Sequence, residues 1–190
     1  MSTRPVEIYD TTLRDGTQQE GISLTARDKL KVARLLDDLG VAYIEGGWPG
    51  ANPKDDEFFR RARTELELQT STLVAFGSTR RAKVRPEDDE QLAALLAAET
   101  DVICLVGKTW DYHVEHALRT DLDEAVAMIG DSVAYLRSQG RRVFFDAEHF
   151  FDGHRANADF ALAALRAAHD AGAERLVLCD TNGGFLSHEV

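Results

Sequence analysis

The segment Asp10-Thr11-Thr12-Leu13-Arg14-Asp15-Gly16-Thr17-Gln18-Gln19 decides the fold class of this chain. It directly follows Val6-Glu7-Ile8-Tyr9, in which alternating apolar residues predict a short β-strand. Asp10, Arg14 and Asp15 therefore place two carboxylates and a guanidinium at the carboxyl end of a strand, where ligand sites lie in parallel α/β folds. The alternative interpretation is an Arg–Asp pair in a solvated loop, because surface ion pairs are common and weak.

Composition and charge narrow the class of protein. The 190 residues are 44% apolar and 29% charged, which fits one globular domain with a sizeable core. The net charge of −11 argues against nucleic acid or an anionic membrane surface as the main partner, although a few local cations suffice for a small anion. There is no apolar signal region or membrane-length apolar run, and Cys104 and Cys179 are predicted to be buried free thiols. We therefore expect a cytoplasmic protein.

Six predicted strands alternate with five predicted helices along the chain. The strands are predicted at residues 6–9, 41–45, 69–76, 101–107, 142–148 and 175–180. The helix starts are predicted from a Thr25/Asp28 capping box, Asn52-Pro53, Pro86, a Thr120/Asp123 capping box and residues near Ala156. Strands and helices that alternate in this way are typical of right-handed βαβ units and a parallel sheet.

Two architectures contain such units, a doubly wound open sheet and a (β/α)8 TIM barrel. No Gly-x-Gly-x-x-Gly motif follows the first strand, which weakens the dinucleotide-binding form of the open sheet. Polar clusters follow five of the six strands, as expected for a barrel that collects its site from many strands. A barrel needs about 250 residues. We therefore expect residues 1–190 to form the N-terminal three-quarters of a TIM-barrel catalytic domain, truncated after about strand six.

The ends of the predicted strands carry side chains that are able to bind ligands or to act in catalysis. These are Arg14, Asp15, Glu45, His113, Glu148, His149 and Thr181. Carboxylates and imidazoles suit a divalent cation that polarises a carbonyl group, and an arginine can bind a carboxylate or stabilise an oxyanion. A glutamate at a strand end can orient a base or relay a proton. Serine-hydrolase and P-loop chemistry are disfavoured, since neither Gly-x-Ser-x-Gly nor a Walker loop is present.

The first loop, 10–18, resembles the signature of the 2-isopropylmalate, homocitrate and citramalate synthase family. This group, the DRE-TIM metallolyases, also includes hydroxymethylglutaryl-CoA lyase. The resemblance continues through 43–49, 111–113 and 179–184, so it spans nearly the whole chain. Within the family, three segments resemble the long-form citramalate synthases most, namely 17–21, 108–110 and 145–153.

The resemblance implies a Claisen condensation in which acetyl-CoA, the co-substrate, is joined to a 2-oxo acid. The implied acid is pyruvate, which would give citramalate for isoleucine synthesis, and the implied cofactor is Mg²⁺ or Mn²⁺. The alternatives are 2-oxoisovalerate (isopropylmalate synthase), 2-oxoglutarate (homocitrate synthase), a retro-aldol lyase and a catalytically inactive fragment. A homodimer is implied for the full-length enzyme.

The resemblance also implies roles for individual residues. Asp15 is expected to be a metal ligand, and Arg14 is expected to stabilise the enolate or keto oxygen. Glu45 is expected to position Arg14 and to shape the pocket for the 2-oxo acid. His113 and Glu148 are expected to line the site as catalytic residues.

Two further residues are assigned to substrate binding, Thr181 at the substrate carboxylate and Gln18 in the first loop. The family's remaining metal ligands are histidines of a His-x-His-Asn motif, which this chain does not contain. His113 and His116 are three residues apart and do not match it. We therefore expect the isolated chain to bind metal poorly and to be inactive on its own.

Overall fold

The structure is a computed structural model that describes residues 6–190. The chain forms two compact units. The first comprises Met1–Phe76 with Ala94–Val102, and the second comprises Gly77–Ala93 with Ile103–Val190. No helix among the described residues is both long and apolar enough to cross a membrane.

Strands and helices alternate as the sequence predicts. The strands are β1 (Tyr9–Asp10), β2 (Tyr43–Gly47), β3 (Thr72–Ser78), β4 (Val102–Lys108), β5 (Arg142–Glu148) and β6 (Arg175–Leu178). The helices are α1 (Ala26–Leu39), α2 (Pro53–Glu65), α3 (Glu90–Ala97), α4 (Asp111–His113, continued by a π turn at Val114–Leu118), α5 (Leu122–Ser138), α6 (Phe150–Ala156) and α7 (Ala158–Asp170).

The strands of each unit follow chain order, β1-β2-β3 and then β4-β5-β6. The pairs β1–β2, β2–β3 and β5–β6 are parallel. The prediction of a parallel α/β fold is thus confirmed.

Two helix starts of the first unit form as predicted. The Thr25 side chain accepts a hydrogen bond from the backbone N–H of Asp28, and the Asp28 carboxylate accepts one from the backbone of Thr25. The Asn52 side chain caps α2 by accepting a hydrogen bond from the backbone N–H of Asp55, and Pro53 is the first helical residue. These caps satisfy amide groups that have no partner inside the helix.

A β-bulge interrupts the pairing of β2 with β3 between Glu45 and Gly47. A Cβ atom at Gly46 would lie 2.5 Å from the Phe58 ring, and one at Gly47 would lie 2.7 Å from the Asp55 carboxylate carbon. The two glycines therefore let α2 approach the end of β2 closely.

Several local predictions are wrong. The first strand is only Tyr9–Asp10, and Val6 and Ile8 are 92% and 59% exposed, so no core covers the predicted apolar face. The N-cap of α5 is Asp121 rather than Thr120, because the Asp121 carboxylate accepts the hydrogen bond from the N–H of Glu124. Cys104 is buried as predicted, whereas Cys179 is half-buried.

Two further differences concern helices. The helix predicted to start at Pro86 is a short 3-10 turn at Pro86–Asp88, and α3 begins only at Glu90, after the buried Asp89, whose carboxylate accepts from the N–H groups of Gln91 and Leu92. The helix predicted from about Ala156 to 171 is α7, and α6 before it was not predicted.

Candidate active site

The first group of predicted site residues lies at the ends of β1 and β2. Arg14 Nε donates to Glu45 Oε1 over 2.5 Å, and Tyr9 Oη donates to Glu45 Oε2 over 2.5 Å. The Glu45 side chain is fully buried, and that of Arg14 is 14% exposed. A buried carboxylate with partners on both oxygens fixes the guanidinium in one orientation.

The ring of Phe76, which is itself in contact with Trp48, packs against the same guanidinium. The Arg14 Cζ atom lies 3.8 Å from the centroid of the Phe76 ring, a distance typical of a cation–π contact. The Trp48 and Phe76 rings are in edge-to-face contact, with centroids 5.2 Å apart and planes at 82°. Arg14 is therefore held by charge on one side and by an aromatic face on another.

Asp15 is the exposed member of this group. Its Oδ1 atom lies 3.2 Å from Arg14 Nη1, and its side chain is 63% exposed. The Asp15 carboxylate is thus adjacent to the Arg14 guanidinium and accessible to solvent. An accessible oxygen ligand of this kind suits a hard divalent cation.

Gln18 and Arg14 line one cavity of about 500 Å³ in the first unit. The remaining lining residues are Thr17, Trp48, Ala51, Asn52, Pro53, Lys54 and Asp55. Thr17 Oγ1 donates to the backbone oxygen of Arg14 over 2.8 Å, which secures the loop. The volume is within the range of small-molecule sites.

A buried ion pair borders this cavity. Lys29 of α1 is 1% exposed and Asp55 of α2 is 5% exposed, and their charged groups are in contact. Burial lowers the pKa of Lys29, and the hydrogen bond to Asp55 opposes that shift. No sequence signal for a ligand site singles out this pair, because lysine is normally a surface residue.

The second group of predicted site residues lies in the second unit, at the ends of β4 and β5. The Lys108 ammonium contacts the Glu148 carboxylate, and both side chains are about one-quarter exposed, at 28% and 25%. Thr109 Oγ1 donates to the backbone oxygen of Glu148 over 2.8 Å. Glu148 is therefore anchored both at its backbone and at its carboxylate.

His113 belongs to an aromatic cluster beside Glu148. Its ring lies 4.8 Å from that of Trp110 and 4.5 Å from that of His149, the latter edge to face. Burial lowers the pKa of His113, positive charge at His149 and Lys108 adds to the effect, and Glu148 opposes it. His113 is consequently poised to be neutral near pH 7, as a proton acceptor must be.

Thr181 joins this cluster through the backbone. Its Oγ1 atom accepts a hydrogen bond from the N–H of His149 over 2.9 Å. His149 has a left-handed backbone, with φ 56°, and caps α6. The side chain lies 3.5 Å from Asp152. His149 and Asp152 at the start of α6 and Thr181 after β6 therefore lie near the end of β5.

The structure therefore brings Arg14, Asp15, Glu45 and Gln18 together in the first unit, and His113, Glu148 and Thr181 near one another in the second. The residues that hold these side chains in place were not predicted from the sequence. These supporting residues are Tyr9, Phe76, Lys108 and Trp110. Their position at strand ends was the available signal.

Comparison with known proteins places the chain in a family. The model of the HMGL-like family matches residues 5–190. The chain belongs to the HMGL-like family. The family prediction is thus confirmed on nearly the whole chain.

Two curated relatives show how similarity varies inside the family. The chain is 59% identical over 183 residues to an (R)-citramalate synthase of Streptomyces coelicolor, covering 96% of this chain and 34% of that protein. It is 35% identical over 178 residues to a homocitrate synthase of Saccharolobus solfataricus, covering 94% and 37%. The chain thus spans about a third of the length of these relatives.

A solved structure supports the fold. The crystal structure of hydroxymethylglutaryl-CoA lyase from Pseudomonas aeruginosa aligns with a TM-score of 0.72 at 17% identity, covering 95% of this chain and 59% of the lyase. The TIM-barrel fold class is confirmed, and the described part of the chain contributes six strands to it.

Proposed function

We propose that the protein is an (R)-citramalate synthase, which condenses acetyl-CoA with pyruvate to give citramalate and CoA, and that this chain forms the N-terminal part of its catalytic domain. The supporting observation is the 59% identity to the Streptomyces coelicolor enzyme over 96% of this chain. The proposal includes a cytoplasmic homodimer that supplies isoleucine synthesis.

The reaction defines what the site residues must do. A base removes a proton from the methyl group of acetyl-CoA, and the resulting enolate attacks the keto carbon of pyruvate to form a carbon–carbon bond. Water then cleaves the thioester and releases CoA. Negative charge develops on the enolate oxygen and on the former keto oxygen, so a fixed cation lowers the barrier.

Arg14 is proposed to supply that fixed positive charge. Its hydrogen bond to the buried Glu45 and its contact with Phe76 support the assignment, because a guanidinium held in place needs no reorganisation during the reaction. Glu45 is proposed to position Arg14 and to shape the pocket. Gln18, which lines the same cavity, is proposed to contact substrate.

Asp15 is proposed to hold the Mg²⁺ or Mn²⁺ ion. Its exposed carboxylate fits the preference of these ions for oxygen ligands and retained water molecules. When bound, the ion supplies Lewis-acid chemistry at the keto group.

The residues of the second unit are proposed to handle protons and the substrate carboxylate. His113 has the lowered pKa that keeps an imidazole neutral, and Glu148 is held by Lys108 in an orientation suited to relaying a proton. Thr181 is proposed to donate a hydrogen bond to the carboxylate of the 2-oxo acid. Its hydroxyl oxygen already accepts from His149, which leaves its hydrogen for that purpose.

The test uses the complete gene product that contains this chain. It is incubated with acetyl-CoA, Mg²⁺ and either pyruvate, 2-oxoisovalerate or 2-oxoglutarate, and the free thiol of released CoA is measured. We expect the highest kcat/KM with pyruvate and citramalate as the product. A preference for 2-oxoisovalerate or 2-oxoglutarate would instead identify an isopropylmalate or homocitrate synthase. If none of the three acids led to thiol release, the proposal would be contradicted.

A further inference from the structure

Lys29 is a fully buried lysine whose hydrogen bonds reach the end of β2. Its ammonium contacts the Asp55 carboxylate and donates to the backbone oxygen of Gly46 over 3.0 Å. A buried ammonium is costly unless it is paired and hydrogen-bonded. Lys29 meets both conditions within the first unit.

Asp55 extends the same network into the loop between β2 and α2. Its Oδ2 atom accepts from the backbone N–H of Trp48 over 2.9 Å and from Asn52 Nδ2 over 3.0 Å. One carboxylate therefore connects α1, the start of α2 and the backbone of the loop. A Cβ atom at Gly47 would lie 2.7 Å from the carboxylate carbon of Asp55, so only glycine lets the loop approach the ion pair this closely.

Trp48 and Phe76 connect this hydrogen-bond network to the guanidinium of Arg14. The Trp48 ring is in edge-to-face contact with the Phe76 ring, and the Arg14 guanidinium lies over the same Phe76 ring at 3.8 Å from its centroid. Trp48, Asp55 and Arg14 also line the same cavity of about 500 Å³. A shift of the loop would thus move the aromatic support of Arg14.

We propose that the Lys29–Asp55 ion pair is a positioning element that holds Trp48 in place and, through Phe76, fixes the guanidinium of Arg14. The catalytic part of this inference rests on the proposed function, whereas the positioning of the loop is independent of it. Stability alone does not require such a pair, because apolar residues of similar size often replace a buried ion pair without loss. They cannot supply the hydrogen bonds to Gly46 and Trp48.

The experiment uses Lys29→Met/Asp55→Leu in the complete gene product. We expect amide hydrogen exchange in residues 46–52 to accelerate at least about tenfold, because the loop loses its buried hydrogen-bond partners. We also expect kcat/KM to fall at least about tenfold, mainly through kcat, because Arg14 acts on the transition state. A merely structural role would lower the unfolding midpoint and leave the kcat of the folded enzyme unchanged.

The matched control is Lys31→Met on the same helix. Lys31 forms an exposed pair with Asp28 at 3.7 Å, and its replacement is expected to change neither measurement. Unchanged exchange in residues 46–52 of the double variant would overturn the positioning role. Faster exchange with kcat/KM within twofold of the wild type would overturn the connection to Arg14.

A second variant, Trp48→Ala, keeps the ion pair and covers the case in which the double variant does not fold. It removes the ring that supports Phe76, so kcat/KM is expected to fall about as far. A value within twofold of the wild type would contradict the proposal. If the wild type released no thiol with any 2-oxo acid, the proposed function would fail, and the exchange measurement would still decide the positioning of the loop.

Discussion

The Arg14 guanidinium donates from Nε to Oε1 of the fully buried Glu45 carboxylate over 2.5 Å, so the two side chains form a hydrogen-bonded ion pair at the ends of β1 and β2. Tyr9 donates to the other oxygen of the same carboxylate. A buried anion is stable only with such partners. Both the fold of the first unit and the direction in which Arg14 points therefore depend on Glu45.

Replacement of Glu45 by glutamine is expected to destabilise the protein by about 3 kcal/mol. The amide NH2 group would face a hydrogen-bond donor, either Tyr9 or Arg14, and the guanidinium would lose its buried counter-charge. The measurement is the free energy of unfolding in urea, together with kcat, which is expected to fall. Glu57→Gln serves as control, since Glu57 forms an exposed pair with Arg61 and its loss is expected to leave both values unchanged. Wild-type stability in Glu45→Gln would contradict the prediction.

Asp15→Asn is expected to raise the Mg²⁺ concentration for half-maximal activity at least about tenfold, because the amide keeps an oxygen but loses the charge. The measurement is an activity titration with Mg²⁺, supported by calorimetric binding of Mn²⁺. The control is Asp10→Asn at the end of β1. The Asp10 carboxylate accepts from Thr12, and its replacement is expected not to change the metal requirement. An unchanged requirement in Asp15→Asn would remove Asp15 from the ligand set.

His113 is expected to make stability depend on pH. Burial holds its pKa below the ordinary value of 6.5 in the folded protein, so the unfolded chain takes up a proton at a higher pH than the folded one. The contribution of neutral His113 to the free energy of unfolding is therefore complete above about pH 6.5. It is lost progressively as the pH falls below that value, by about 1.4 kcal/mol for each unit by which the pKa differs between the folded and unfolded protein.

The measurement compares the free energy of unfolding at pH 7.5 and pH 5.5. His113→Gln is expected to lose less stability on acidification than the wild type. The control is His169→Gln, which removes a largely exposed histidine of α7 and so shows the effect of losing a histidine elsewhere. Identical pH profiles for wild type and His113→Gln would refute the assignment.

The strand-end motifs and the helix caps could be predicted from the sequence because they are local. The Thr25/Asp28 capping box needs only four consecutive residues, and the alternation of strands and helices follows from short-range apolar patterns. The same locality explains a failure. Either Thr120 or Asp121 can begin α5, and only the folded geometry chooses Asp121.

Partners that are distant in the sequence could not be predicted. Lys29 lies on the apolar face of α1, three residues after Ala26 and four before Ala33, but nothing nearby indicates that Asp55 would neutralise it. The contact of Lys108 with Glu148 likewise depends on the neighbouring ends of β4 and β5. A lysine on an apolar helical face indicates that a charge is buried, but it does not identify the partner.

Gly153 is expected to tolerate no side chain. A Cβ atom there would lie 2.1 Å from the backbone oxygen of Thr109, so α6 would have to move away from the segment that anchors Glu148. We expect Gly153→Ala to lower the free energy of unfolding by about 2 kcal/mol or more, as overpacking against backbone does. The control is Gly130→Ala in α5, where the nearest atoms are 3.8 Å away and alanine is expected to stabilise the helix by about 0.5–1 kcal/mol. Urea unfolding of the two variants should therefore shift in opposite directions, and a stabilised Gly153→Ala would show that α6 does not pack on Thr109 as described.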